Sequence, residues 1–170
     1  MKKPIDVSII TVNYNGVDDT LELIDSLYRH LTISFEIIVV DNASRHDETI
    51  RIKQQYPEVI CIRSEKNLGF SGGNNIGIKQ AKGRFLFMLN NDTIVKDGSI
   101  SCLVDFLDSN DRIGAVSPKI MYAGEHNCIQ YAGATELTTI TLRNKTIGKD
   151  EEDRGQYDTF QKTSFLHGAA

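Results

Sequence analysis

The 170-residue chain is short of the features that usually announce a function. It has no basic excess: 19 Lys and Arg stand against 23 Asp and Glu, for a net charge of −4. That is not the footprint of a nucleic-acid binder, so no nucleic-acid partner is expected. There are three cysteines, Cys61, Cys102 and Cys128, an odd number, widely spaced and without a C-x-x-C pair. Neither a disulfide framework nor a zinc site is built that way, and the reading is reduced packing residues of a cytoplasmic protein. The histidines, at 30, 46, 126 and 167, fit no metal spacing. In the opening "MKKPIDVSII" Asp6 interrupts the apolar run, and neither a signal-peptide core nor a membrane span follows. Repeats and low-complexity tracts are missing. So are the dinucleotide fingerprint G-x-G-x-x-G after the first strand and the P-loop pattern G-x-x-x-x-G-K-[ST], which disfavours a hydride-transfer enzyme and a P-loop kinase.

What is present is ordinary in amount and ordered in pattern. A hydrophobic content of 40% with 25% charged residues suits a globular domain, and the length suffices for a real core. "DVSIITV" (6–12) is a β-branched run closed by the turn signal "NYNG". Leu21, Ile24, Leu27 and Leu31 then recur at helical spacing. "EIIVVD" (36–41) is apolar without alternation, as expected of a strand covered on both faces. A polar helix around 47–55, a strand "VICIR" (59–63), a Gly/Asn-rich turn, a helix near 70–82 and a strand "FLFML" (85–89) follow. Ile100, Leu103, Val104 and Leu107 mark another helix, and "IGAVSP" (113–118) reads as a fifth strand cut short by Pro118. The alternation predicts an α/β fold: an open, mostly parallel sheet with helices on both faces and right-handed crossovers. From about residue 119 the regularity fades into Gly, Thr and a charge run at 149–154 that reads as a solvated excursion. The last phrase, "SFLHGAA", reads as the interior of a longer chain.

In an open parallel sheet, ligands bind beyond the carboxyl ends of the strands, where strand order reverses. Here those ends are "NYNG", "DNAS", "EKNLGFSGGNN" and "NNDT", all rich in Asn, Asp and Gly. Such residues make turns and caps anywhere; four such ends on one edge point to a ligand. Asp92 at a strand end is a candidate for holding Mg2+ or Mn2+, which take one or two carboxylates and complete their shell with phosphates and water. "GFSGGNN" (69–75) leads into a helix whose first N–H groups could meet an anion.

The phrases "VSIITVNYN" (7–15), "EIIVVDNAS" (36–44), "KNLGFSGGNNIGIKQAKG" (66–83) and "FLFMLNNDT" (85–93) together resemble the nucleotide-sugar-dependent glycosyltransferases of family 2, which have the Rossmann-like GT-A fold. "NLGFSGGNN" looks most like the rhamnosyltransferase-type branch, which includes other bacterial envelope-sugar enzymes. The resemblance implies that residues 1–118 form a nucleotide-sugar-binding core and 119–170 the start of an acceptor-side region. It implies that Val12, Asn13 and Tyr14 lie beside the nucleobase, that Asp41 accepts the pyrimidine N3–H with Asn42 beside it, and that Asn67, Gly69 and Asn74 line the nucleotide. Asn90, Asn91 and Asp92 would meet the donor sugar and diphosphate, Asp92 matching the last residue of the family's metal-binding D-x-D motif. Asn90 replaces that motif's first aspartate, and Asn74 stands where many relatives carry Arg. The implied reaction is inverting transfer from a UDP- or dTDP-linked donor to a glycan or lipid-linked acceptor, assisted by Mg2+ or Mn2+. Peripheral association of the full-length protein with the inner face of the membrane belongs to the same expectation. The family's general base follows a Gly-Ala phrase; "HGAA" (167–170) resembles that phrase, so the base is expected beyond Ala170 rather than among Glu151, Glu152 and Asp153. Two other readings compete. A nucleotidyltransferase would show a basic, Gly-rich signature after the first strand, where "NYNGVDD" is acidic. A non-catalytic α/β binding or regulatory module predicts no nucleotide affinity.

Overall fold

The computed structural model describes residues 4–124 and 127–166. The chain divides into two compact units, with the boundary between Asp105 and Phe106. The first unit is built on four parallel strands, β1 (Val7–Asn13), β2 (Phe35–Asp41), β3 (Ile60–Arg63) and β4 (Phe85–Met88), in the spatial order β3-β2-β1-β4. β1 and β2 pair over their whole length, Val7 opposite Phe35 through Asn13 opposite Asp41. Both are almost wholly buried, which explains why their sequences do not alternate.

Helices cover both faces, as the sequence predicts. α1 (Val17–His30) buries Leu21, Leu23, Ile24 and Leu27, and has Asp18 and Asp19 in its first turn and Arg29 and His30 in its last, matching the helix dipole. It shares its side with the short α2 (Thr49–Gln55) and with the odd-numbered residues of β1: Asn13 bonds to Thr20 of α1. The even-numbered face, Ile10, Ile38 and Val40, is packed by Ile76, Ile78 and Ala81, residues in or just after α3 (Gly69–Ile78). α3 contains Gly72, Gly73 and Gly77, poor helix formers at about 1 kcal/mol each relative to Ala. Two of them explain themselves by contact. A Cβ on Gly73 would lie 2.8 Å from the Val12 methyls, and one on Gly77 would lie 2.4 Å from Cγ2 of Ile10. The glycines let the helix lie directly on β1 and so bring its start to the strand's end.

The expected fifth parallel strand at 113–118 is not formed. Residues 113–118 have no ladder partner, none of them is fully buried, and the Ile113 N–H is taken by the Asn110 carbonyl in a local turn. Gly114 brings no side chain to a sheet and Pro118 no N–H. The next strands instead form a small antiparallel pair, β5 (Ile120–Met121) with β6 (Ile129–Tyr131). The other helix, α4 (Ser99–Asp108), spans the unit boundary and buries Ile100, Leu103 and Val104.

Candidate functional site

Because β2 and β3 lie to one side of β1 and β4 to the other, strand order reverses between β1 and β4. An open cleft of about 340 Å³ lies at the carboxyl ends of these strands. Val12 and Tyr14 from the end of β1, Asn42 from the end of β2, Asn67, Gly69 and Phe70 from the start of α3, and Asn90, Asn91 and Asp92 from the end of β4 line it. Four distant stretches of sequence thus meet at the place general rules for open sheets assign to a ligand.

The backbone here is tightly turned. Asn15 (φ 54°), Ala43 (φ 67°) and Gly69 (φ 70°) adopt left-handed conformations in the connections after β1, β2 and β3. For Ala43, which lacks both the freedom of Gly and the local hydrogen bonding of Asn, this costs roughly 1–2 kcal/mol. Strain of this kind collects at functional sites.

Asn42, 2% exposed, organises one wall. Its Nδ2 donates to Oδ1 of Asn67 (3.0 Å) and to the Gly69 carbonyl (3.2 Å), and its Oδ1 accepts the Leu68 N–H (3.0 Å). Oδ1 of Asn67 in turn accepts the Gly69 N–H at 2.8 Å. The three bonds of Asn42 tie the loop before α3 to the end of β2, and the fourth closes the loop on itself. Tyr14 and Phe70, 53% and 48% exposed, present aromatic surface to the cleft.

On the opposite wall the polar cluster splits. The turn closes with the Thr93 N–H on the Asn90 carbonyl at 3.3 Å. Nδ2 of Asn91 turns toward the β1–α1 connection and donates to Oγ1 of Thr20 (3.2 Å) and to the Gly16 carbonyl (3.3 Å). Asp92 is exposed, and no described residue hydrogen-bonds its carboxylate. Among the described residues no three His, Cys, Asp or Glu side chains cluster as a metal cage. Asp92 with the Asn90 amide therefore suits a cation that arrives with phosphate oxygens, and does not suit one held by protein alone.

Asp41, Asn13 and Asn74 do not line the cleft. Asp41 is fully buried; its Oδ1 accepts the Ser44 N–H at 3.1 Å, while Oδ2 has no hydrogen-bond partner, the nearest cation being Nε of Arg63 at 3.8 Å. Asn13 is likewise buried, donating to Glu48 (2.6 Å) and accepting from Thr20 (2.9 Å). Asn74 donates to the Phe70 carbonyl one turn back, at 3.0 Å. The "HGAA" phrase lies outside the described residues.

Sequence reasoning missed two residues. Phe70 lines the cleft from within the glycine-rich phrase 69–75, and its only sequence signal is an aromatic beside a Gly/Asn-rich turn. Arg63 ends β3 and reaches the Ser44 carbonyl at 3.1 Å and Asp47 at 3.4 Å. Asp47 is held below the usual carboxylate range, first by its hydrogen bond from Thr49 and then by the Arg63 charge. Nothing in the sequence around Arg63 signals that position.

A parallel sheet with a cleft at its switch point, rimmed by amides, aromatics and one open carboxylate, defines an α/β domain with a ligand-sized cleft at its strand ends. The chain belongs to glycosyl transferase family 2, whose family model matches residues 8–168. Among curated relatives it is 27% identical to the glycosyltransferase YwdF of Bacillus subtilis over 95% of this chain and 57% of that protein. It is 31% identical to the minor teichoic acid biosynthesis protein GgaB of the same organism, over 79% of this chain and 16% of that protein. This chain thus spans less than two thirds of either relative. Among solved structures, S. aureus TarS 1-349 in complex with UDP-GlcNAc superposes with a TM-score of 0.57 at 23% identity, over 81% of this chain and 42% of that one. The mannosyltransferase PcManGT from Pyrobaculum calidifontis, in complex with GDP-Man and Mn2+, gives 0.60 at 21% identity, over 71% of this chain and 37% of that one. The fold is of the GT-A type.

Proposed function

We propose that this chain is the donor-binding part of an inverting glycosyltransferase that takes its sugar from a UDP- or dTDP-linked donor and passes it to a glycan or lipid-linked acceptor. The observation that carries the reading is the sharing of one cleft by exposed aromatic surface at Tyr14, a loop fastened by Asn42, and the unpartnered carboxylate of Asp92. Val12 and Tyr14 take the base, Asn42, Asn67 and Gly69 the nucleotide, and Asn90, Asn91 and Asp92 the diphosphate and sugar. Oδ2 of Asp41 is a buried, unpaired acceptor of the kind a pyrimidine ring N–H would satisfy, although side chains must shift to admit it. Asn13 and Asn74 act from behind the cleft. Mg2+ or Mn2+, with Asp92 as its protein ligand, would offset the charge of the departing diphosphate.

The region from residue 119 on is assigned to the acceptor side. Glu151, Glu152 and Asp153 are not assigned as general base: Tyr157, Arg154 and Lys119 respectively hold them. The relation to a teichoic acid protein supports an envelope polymer as product, and the "NLGFSGGNN" phrase favours the rhamnosyltransferase-type branch. Among the described residues no helix is long and apolar enough to cross a membrane. The working location is the cytoplasm, with peripheral association at the inner membrane face.

Calorimetry with UDP and dTDP, in Mn2+ and in EDTA, tests the reading on the wild type and on Asp92→Ala. Tighter binding in Mn2+, lost in Asp92→Ala with the fold intact, is expected. Equal affinity in EDTA would remove the metal from the account, and no affinity for either nucleotide would remove the donor.

A further inference from the structure

A line of side-chain hydrogen bonds runs behind the cleft, across elements far apart in sequence. Nδ2 of Asn91, at the end of β4, donates to the Thr20 hydroxyl on α1 (3.2 Å). That hydroxyl lies 2.9 Å from its acceptor, Oδ1 of Asn13 at the end of β1. Nδ2 of Asn13 donates to Oε2 of Glu48, at the start of α2, at 2.6 Å. The same carboxylate oxygen accepts from Oγ of Ser44 (3.3 Å), which itself accepts the Asn15 N–H (2.8 Å). These bonds run from the Asn91 amide and from the Asn15 N–H toward one carboxylate, while Asn91 and Thr20 also donate to the Gly16 carbonyl (3.3 and 3.1 Å); bonds aligned in this manner polarise one another. Thr20 and Asn13 are 0% exposed, so a gap in the line leaves polar atoms stranded without water. A second observation locates the same point of control. A Cβ on Gly16 would stand 3.0 Å from Nδ2 of Asn91, so a side chain at this position would press that amide back by a few tenths of an ångström.

We propose that Thr20, which does not line the cleft, is a positioning residue for the donor diphosphate: its hydroxyl holds Asn91, and thereby fixes the turn that presents Asn90 and Asp92. The geometry explains why two adjacent asparagines behave differently. Asn91, which also lines the cleft, is anchored to α1, while Asn90 and Asp92 on either side make no side-chain bond to α1. Base recognition draws on Val12, Tyr14, Asp41 and the loop tied by Asn42, none of which bonds to the Thr20 hydroxyl.

The inference rests on the donor reading above, so the test has one arm that needs no nucleotide. Thr20→Val keeps the shape and removes the hydroxyl; Thr20→Ser restores it. Gly16→Ala crowds Asn91 from the other side. Hydrogen exchange at the Thr93 amide, which closes the turn, should speed up in Thr20→Val and Gly16→Ala and return toward wild type in Thr20→Ser. Exchange in the central residues of β2 reports whether the fold survives. In the second arm UDP with Mn2+ should bind about tenfold more weakly to Thr20→Val, the scale of one hydrogen bond's ordering, while uridine binds equally. Unchanged exchange at Thr93 in Thr20→Val overturns the proposal whatever the nucleotide does, as does an equal loss of UDP and uridine affinity. A looser turn in a protein whose wild type binds no UDP supports the positional role and overturns the donor reading instead.

Discussion

The two units of this chain are stabilised in different ways. In the first, β1 and β2 are seven-residue strands buried on both faces, and Ile9, Ile10, Leu23, Ile24, Leu27, Ile38, Val39 and Val40 are all 0% exposed. In the second, the paired strands have two and three residues, and the buried apolar side chains among the described residues are Ile129, Tyr131 and Ala134. Leu137, Ile140, Leu142, Phe160 and Phe165 remain exposed. What holds that unit is polar and joins its loops to one another: Tyr122 on Asp150, Asn127 on the Asp153 carbonyl, Thr163 with Ala134, and Lys119 between Asp153 and Asp158. The contrast follows from size, since a short segment cannot remove enough apolar surface from water to form a deep core. It also bears on function. Every residue of the candidate cleft belongs to the unit with the core, where side chains can be fixed to within tenths of an ångström.

The sharpest way to break this comparison is to empty part of the sheet's core. Ile38→Ala removes a fully buried side chain between β2 and α3 and should cost about 2–5 kcal/mol. The urea midpoint should fall by a corresponding amount with the slope unchanged. A loss under about 1 kcal/mol would mean that the site collapses around the gap and that the first unit is less tightly packed than its burial implies.

Much of this first unit was legible in the sequence because its chemistry is periodic. Unbroken apolar runs at "IIVV" and helical spacing at Leu21, Ile24 and Leu27 have few other solutions, and the four strands and their order of connection follow from them. The cleft was legible only as a region. Asn13, Asn42, Asn90 and Asn91 are the same residue in similar phrases, yet Asn13 and Asn91 turn toward α1 while Asn42 ties down a loop. Direction depends on strand register and turn geometry, which residue type does not encode; for Asn13 the period of two along β1, shared with Ile9 and Thr11, was the available clue. The reading of 113–118 as a strand failed for a related reason: composition alone cannot supply a ladder partner. Beyond residue 119 the structure depends on side chain–backbone bonds between residues some 30 positions apart, such as Thr163 with Ala134, and these leave no periodic trace.

A smaller effect should separate the units by pH. Asp153 has its carboxyl held below the ordinary value, first by its hydrogen bond from Lys119 and then by the Gly155 N–H. A lowered folded pKa gives stabilisation that is complete above the unfolded value, about 3.9, and is lost as pH falls through the folded one. Burial alone would lower Lys119, but its hydrogen bonds to Asp153 and Asp158 raise it, so its share is complete below about 10.4 and is lost only at still higher pH. Between those limits the cluster is intact. Amides from Asp153 to Asp158, corrected for intrinsic exchange, should keep constant protection from pH 5 to 9 and lose it below about pH 3.9, before β2 does. Lys119→Met should show that loss already at pH 7. The energies are small, because such partly exposed pairs typically contribute about 0.2–1 kcal/mol each. Acid protection in β2 that fails first, or no change in Lys119→Met, would mean that the ion pairs do not hold the second unit.

The smallest expected effect is at Ile140, and it sharpens the comparison from the other side. Ile140 is 92% exposed, in a turn between Thr138 and Arg143. The turn is closed without it. The Thr138 N–H donates to the Arg143 carbonyl at 2.9 Å, the Leu142 N–H to the Thr138 carbonyl at 3.0 Å, and the Arg143 N–H to the Thr138 hydroxyl at 3.2 Å. The same hydroxyl lies 2.5 Å from that of Thr141. Removing an apolar side chain that is already in water forfeits no burial, so Ile140→Ser should change stability by less than about 0.5 kcal/mol in a urea titration. Thr138→Val, which is less conspicuous in the sequence, should cost more, because it deletes the hydroxyl that joins both limbs of the turn. If Ile140→Ser instead costs as much as Ile38→Ala, then Ile140 is buried in solution, and the second unit has an apolar core of its own that the exposed side chains in this structure do not reveal.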